Sequence, residues 1–212
     1  MKKLSIFILA SQLAAAASAQ IMVVSKTPSG PVKDMNAARR VAATFSRPIS
    51  ALTSAEQMGS SCPLEVMEIS GVLTEENYPG YSSARLEDFK ELKPVQGRCR
   101  WQGTQTVAFE PAEPLAPATL YAARIKAGVK SASGELLEED TVWFFETVRP
   151  AIMESAPYND QRWLPLDTIV YAAFNLPVDH ARARGFIKLE ETAPDGTVKE
   201  IHAGVRRAKD KE

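Results

Sequence analysis

The chain has 212 residues, with 25 Lys and Arg against 26 Asp and Glu, a formal net charge of -1, and 45% hydrophobic residues. This balance excludes nucleic-acid binding by bulk electrostatics, and the apolar fraction excludes a wholly disordered chain. Two cysteines exclude a disulfide-dense miniprotein, and 14 prolines against 11 glycines point to many turns between short strands.

Residues 1–19 read as a secretory signal peptide. Lys2 and Lys3 precede an apolar stretch, Leu4 to Leu13, and Ala17-Ser18-Ala19 forms a small-x-small cleavage signal before Gln20. An N-terminal membrane anchor is the alternative, but the stretch falls short of the ~20 apolar residues a span needs. Cleavage leaves 23 basic against 26 acidic residues, so the mature chain is mildly acidic. No later segment is apolar and long enough to span a membrane as a helix. The expected location is therefore the periplasm or cell envelope.

Export changes how Cys62 and Cys99 read. An even count in an oxidising compartment points to one disulfide, with free thiols as the alternative. Neither has a Cys or His neighbour at metal-ligand spacing, and His180 and His202 are distant in sequence.

Strand patterns follow in chain order. Arg39 to Phe45 places Val41, Ala43 and Phe45 on one face. Ser83 to Lys93 differs: Leu86, Phe89 and Leu92 sit three apart, with Ser83 as a possible cap, so a short helix or loop insertion with a solvated charged face is expected. Thr104 to Phe109 alternates, with Gln105, Val107 and Phe109 on one face. Leu120 to Ala127 puts Tyr121, Ala123, Ile125 and Ala127 on one side and Arg124 and Lys126 on the other. Thr141 to Thr147 carries Val142-Trp143-Phe144-Phe145, apolar on both faces, as a covered strand would. Short strands and frequent turn signals predict an all-β fold: an Ig-like β-sandwich over 20–149, then a second, partial or smaller β-sandwich over 150–212.

The second unit is inferred from a repeat. Arg40 to Ile49 and Ile169 to Val178 each hold an apolar strand, a Phe (Phe45, Phe174), two residues, then Pro and a β-branched residue. Strands are expected at Thr168–Phe174, Gly185–Thr192 and Thr197–Val205, with Pro194-Asp195-Gly196 turning between the last two. The unit ends in a polar run with no closing strand, so the expectation is a fragment or a truncated product.

Candidate chemistry is sparse. Asp179-His180 lacks a G-x-S-x-G elbow and reads as a turn after Pro177. His202 and Glu200 share a face without further zinc ligands. Glu138-Glu139-Asp140 is a candidate Ca²⁺ cluster that reads better as a polar turn. Trp101, Trp143 and Trp163 are candidates for a carbohydrate- or partner-binding face, with packing the simpler reading for Trp101 and Trp143. The expectation is no catalytic, cofactor or metal residues, and a protein partner.

The run Gly97 to Pro111, with Gly97, Trp101, Gly103, Thr104, Phe109 and Pro111, resembles the N-terminal region of the bacterial alpha-2-macroglobulin family. The following stretch, from Pro114 through Gly128 and Gly134 to Phe145-Glu146-Thr147, is similar to the bacterial Ig-like domain, as is Phe45-Ser46-Arg47-Pro48-Ile49. The resemblance implies an exported, multidomain protein that entraps proteases. That family's thioester needs a Cys-x-x-Glu-Gln run, which neither Cys62 nor Cys99 begins. What carries over is a non-enzymatic N-terminal Ig-like module with a scaffold or docking role. A generic cell-envelope or adhesion module is the alternative.

Export is directly testable. Intact-mass analysis of protein recovered from a bacterial host's envelope fraction is expected to give a chain starting at Gln20. An uncleaved chain beginning at Met1 would contradict the leader.

Overall fold

Alternation of buried and half-exposed residues along Val41–Phe45 makes this segment a strand with one committed face, and the same physics builds the rest of the first unit. The computed structural model describes residues 20–49, 62–70, 84–165 and 167–207. The expected leader at 1–19, Ser83 and the terminal five residues lie outside this range.

Two sheets face one another. The first has four strands in the order β1 (Val23–Thr27), β3 (Val41–Phe45), β7 (Thr106–Pro111), β6 (Gly97–Gln102). The second has five: β2 (Gly30–Pro31), β9 (Thr141–Glu146), β8 (Leu120–Ile125), β4 (Leu64–Ile69), β5 (Leu92–Pro94). All pairings are antiparallel except β2 with β9. The chain is all-β, and this unit is an Ig-like sandwich.

The main core lies between the sheets. Val41, Phe45, Val107 and Phe109 from one side meet Leu64, Val66, Tyr121, Ile125, Trp143 and Phe145 from the other. The Tyr121 and Phe145 rings stack with centroids 5.4 Å apart. Strand β9 alternates across its sheet: Trp143 and Phe145 join this core, while Phe144 joins a second cluster with Met67, Ile69, Leu120 and Ala122 on the outer face.

The segment Ser83–Lys93 keeps the expected short helical turn and exposed charged side chains, but its apolar side packs on that outer cluster and its end adds a strand. The segment forms a 3-10 turn, Leu86–Asp88, and then β5. Leu86, Phe89 and Leu92 lie over the second sheet, with the Phe89 and Phe144 rings 5.4 Å apart. The three-residue spacing identified a shared apolar face, but its role is to cover a sheet. Ala127 is corrected: β8 ends at Ile125 and Ala127 is exposed.

Polar bonds fix the connections. The Trp143 indole N–H donates to the Pro28 carbonyl at 2.9 Å, where the N-terminal chain leaves β1 and enters β2 of the opposite sheet. The Ala116 N–H donates to the Tyr121 hydroxyl at 2.9 Å, holding the proline-rich loop. The buried Thr147 hydroxyl donates to the Ala116 carbonyl at 2.6 Å and accepts from the Thr119 N–H at 2.9 Å. In β6, a Cβ at Gly97 would come within 2.4 Å of the Phe109 ring, so only glycine fits beside it. Gly103, at φ 72°, turns β6 into β7.

Residues 150–207 add β10 (Ile152–Ala156) paired with β11 (Tyr171–Phe174), a one-turn helix α1 (His180–Ala183), and the hairpin β12 (Leu189–Thr192) with β13 (Val198–Ile201). Strand β10 was not expected. The expected strand from Gly185 begins only at Leu189, because residues 184–186 form a 3-10 turn.

Cys62 and Cys99 are joined, with Cα atoms 5.3 Å apart, a normal span for a disulfide. Cys62 precedes β4 and Cys99 lies in β6, so the bond ties the two sheets together. The closed loop spans 37 positions, for which restricting the unfolded chain contributes about 4 kcal/mol. The double variant Cys62→Ser/Cys99→Ser is expected to lose a stabilisation of that order in guanidinium unfolding. An unchanged midpoint, or two titratable thiols in the denatured unreduced protein, would contradict the staple.

Candidate functional site

The residues that suggested chemistry are placed apart. Asp179 is the N-cap of α1: its carboxylate accepts from the N–H groups of Ala181 at 2.9 Å and Arg182 at 3.4 Å. It also faces the Arg182 guanidinium at 3.6 Å. A capping carboxylate engaged in this way is a local structural device. Glu200 and His202 line an open hollow with Arg184, Ile187 and Leu189. His202 lies just past β13 rather than within it.

The acidic run is divided between separate contacts. Glu138 accepts from the Gln20 side chain at 2.9 Å, and Asp140 accepts from the Ala127 N–H at 2.8 Å. Among the described residues, no three His, Cys, Asp or Glu side chains gather as a metal site. The tryptophans form no common face. Trp143 is buried, Trp101 is half-buried with its ring stacked on Phe45 at 6.2 Å, and Trp163 is 98% exposed.

One charged constellation escaped the sequence reading. Glu65 on β4 lies opposite Arg124 on β8. The Arg124 Nη2 stands 2.6 Å from Glu65 Oε2, and its Nε donates to the same oxygen at 3.1 Å. Lys126 Nζ reaches Glu65 Oε1 at 2.6 Å, and Asp140 stands 3.8 Å from Arg124 Nη1. Partial burial pushes the Glu65 carboxyl up, but the bonds and charges of Lys126 and Arg124 outweigh it and hold the group below the ordinary value. The network closes one end of the outer sheet face, beyond the apolar cluster under Phe89. Its signal was the register of β4 on β8, which the residue spacing alone does not carry.

The other exposed feature is apolar. In residues 150–207, Ile152, Val170, Phe186 and Val198 are 57–89% exposed. Isolated hydrophobic residues on a surface are ordinary, and only a contiguous patch of them argues for a contact surface.

The family described as the bacterial Ig-like domain matches residues 17–147. The chain belongs to this family. The Ig-like domain thus takes in the whole two-sheet unit, while β10 to β13 lie beyond its matched span. No curated protein matches. Among solved structures, the N-terminal part of the bacterial S-layer protein SbsC is similar at 13% identity, with a TM-score of 0.36. The alignment covers 65% of this chain and 26% of that one, so the likeness spans about a quarter of the solved S-layer chain.

Within the Ig-like domain the Glu65 network has a defined pH signature. Its lowered folded pKa means that its contribution is present above the unfolded carboxyl value of 4.5 and is lost as pH falls through the folded value. Glu65→Gln is expected to cost at most about 1 kcal/mol at pH ~7, the scale of a half-exposed ion pair, and almost nothing near pH ~2. Paired urea titrations at the two pH values check this; an equal loss at both would assign the effect to packing.

Proposed function

We propose that this chain is an exported, non-enzymatic Ig-like module of the bacterial cell envelope, working as a scaffold or docking unit. The match of the bacterial Ig-like domain over residues 17–147 is the observation that carries this reading. The leader at 1–19 and the inter-sheet disulfide fit an oxidising compartment outside the cytoplasm. Asp179 caps a helix, Glu138 and Asp140 serve separate contacts, and Trp143 packs in the core, so these groups have structural roles.

A finer form of the proposal is that the module belongs to the N-terminal part of an alpha-2-macroglobulin-like protease inhibitor. The support is the run from Gly97 to Pro111. Its distinctive residues have mechanical roles in the β6–β7 hairpin: Gly97 yields to the Phe109 ring, Trp101 stacks on Phe45, and Gly103 makes the turn. They support a shared hairpin, and no protease-contacting residue follows from them. The competing reading is a generic adhesion or envelope-binding module, favoured by the same domain match.

Fractionation of cells producing the native protein separates these readings. The antigen is followed by antibody before and after a protease is added to the envelope extract. Protease entrapment is expected to move the antigen into a larger, protease-containing species. An antigen that stays in the envelope fraction without such a shift selects the adhesion or binding module. Recovery from the cytosol would overturn both.

A further inference from the structure

Strands β10 and β11 repeat β1 and β3 residue by residue. In the first unit Val23 pairs with Phe45, Ser25 with Thr44, Lys26 with Ala43 and Thr27 with Ala42, with a register shift between Val23 and Ser25. In the second, Ile152 pairs with Phe174, Glu154 with Ala173, Ser155 with Ala172 and Ala156 with Tyr171, with the shift between Ile152 and Glu154. Every residue of the second ladder lies 129 positions after its counterpart in the first.

The correspondence extends past the ladder. The Ser46 N–H donates to the Met22 carbonyl at 2.8 Å, and the Asn175 N–H donates to the Ala151 carbonyl at 3.1 Å. The Met22 N–H donates to the Ser46 hydroxyl at 3.1 Å, and the Ala151 N–H donates to the Asn175 side-chain carbonyl at 2.8 Å. A serine and an asparagine make the same bond at matched positions. A shift at one place in a strand pair and a side-chain bond beside it are specific features, and their joint recurrence at a single offset is not a general property of antiparallel strands.

The two copies differ in what covers them. The far edge of β3 carries β7, with Val41 opposite Phe109 and Thr44 opposite Thr106. Its inward residues Val41, Ala43 and Phe45 are wholly buried under the second sheet. Among the described residues, no strand pairs with the far edge of β11. Val170, the counterpart of Val41, is 64% exposed, and Ala172, the counterpart of Ala43, is exposed too. An open strand edge beside exposed apolar residues is a template for a further strand.

We propose that β10–β11 is the opening strand pair of a second Ig-like sandwich, and that the far edge of β11 docks a β7-like strand. The occupant is an antiparallel segment with alternate apolar residues, paired as β7 pairs with β3. It seats an apolar residue opposite Val170 and a small polar residue opposite Ala173. The first unit, in which the same ladder holds this kind of strand, identifies the occupant.

The test uses the full chain with residues 96–112 appended to its C-terminus through a flexible Gly-Ser linker, carrying Cys99→Ser in the appended copy. A second protein carries the same residues scrambled. A short flexible tether supplies a millimolar effective concentration, enough to slow amide exchange over 169–175 about tenfold or more if docking occurs. Slowing with the native order and not the scrambled one is the expected result. Equal exchange in both proteins overturns the proposal. So does concentration-dependent protection of 169–175 in the unextended chain, which would make a second copy the occupant. Protection by phosphatidylcholine–phosphatidylglycerol vesicles but not by the native-order tether overturns it in favour of a lipid surface.

Discussion

Strand β9 has no polar face to give to water. Trp143 and Phe145 point one way and Phe144 the other, so the strand is stable only with a layer on each side. The facing sheet supplies one layer and the Leu86–Leu92 segment the other. Full burial of a large apolar side chain stabilises by about 1.5–3 kcal/mol, which exceeds what the half-exposed ion pairs on this unit contribute. The polar part of Trp143 adds a directional constraint. A buried indole N–H without an acceptor costs roughly 1–3 kcal/mol, and the Pro28 carbonyl removes that cost. The crossing of the N-terminal strand from one sheet to the other is held at that point. Just past β9, Thr147 holds the proline-rich loop, so a single strand positions the core, the N-terminal crossover and the connection into β8.

The elements that were legible in the sequence are those whose burial alternates or saturates. Val41–Phe45, Leu120–Ile125 and Val142–Phe145 announce themselves because their side chains answer to one or both packed faces. Strands β1, β2 and β5 do not, since they are edge segments with mostly exposed residues or as few as two residues. Strand β4 changes face midway. Leu64 and Val66 enter the main core, while Met67 and Ile69 enter the outer one, so its apolar residues break strict alternation. Strand β6 was legible and was read only as a motif: Cys99 and Trp101 are less exposed than Arg98 and Arg100, the period of a strand at a sheet edge.

The candidate sites divide on a similar line. Asp179 ahead of a short helix is a local signal, and its capping role follows from neighbouring residues. The bond between Glu65 and Arg124 joins residues 59 positions apart and depends on strand register, which residue identity alone does not specify. Residues 150–207 show a further limit. The pattern around Phe174 encodes the same strand pair as that around Phe45, with the same ladder and the same register shift. It does not encode the cover: Ala43 is buried and Ala172 is exposed. Local sequence specifies the pair, and tertiary partners decide whether its inner face is dry.

The central claim is that the β9-centred sandwich is a closed cooperative unit and that β10–β13 is not closed by the described residues. Native-state hydrogen exchange on the intact chain, with increasing denaturant, measures this directly. The amides of Val142–Phe145 are expected to exchange only through global unfolding of the first unit, while those of Tyr171–Phe174 and Val198–Ile201 open locally at much lower free energy. Equal protection in both groups, or fast exchange throughout β9, would contradict the account.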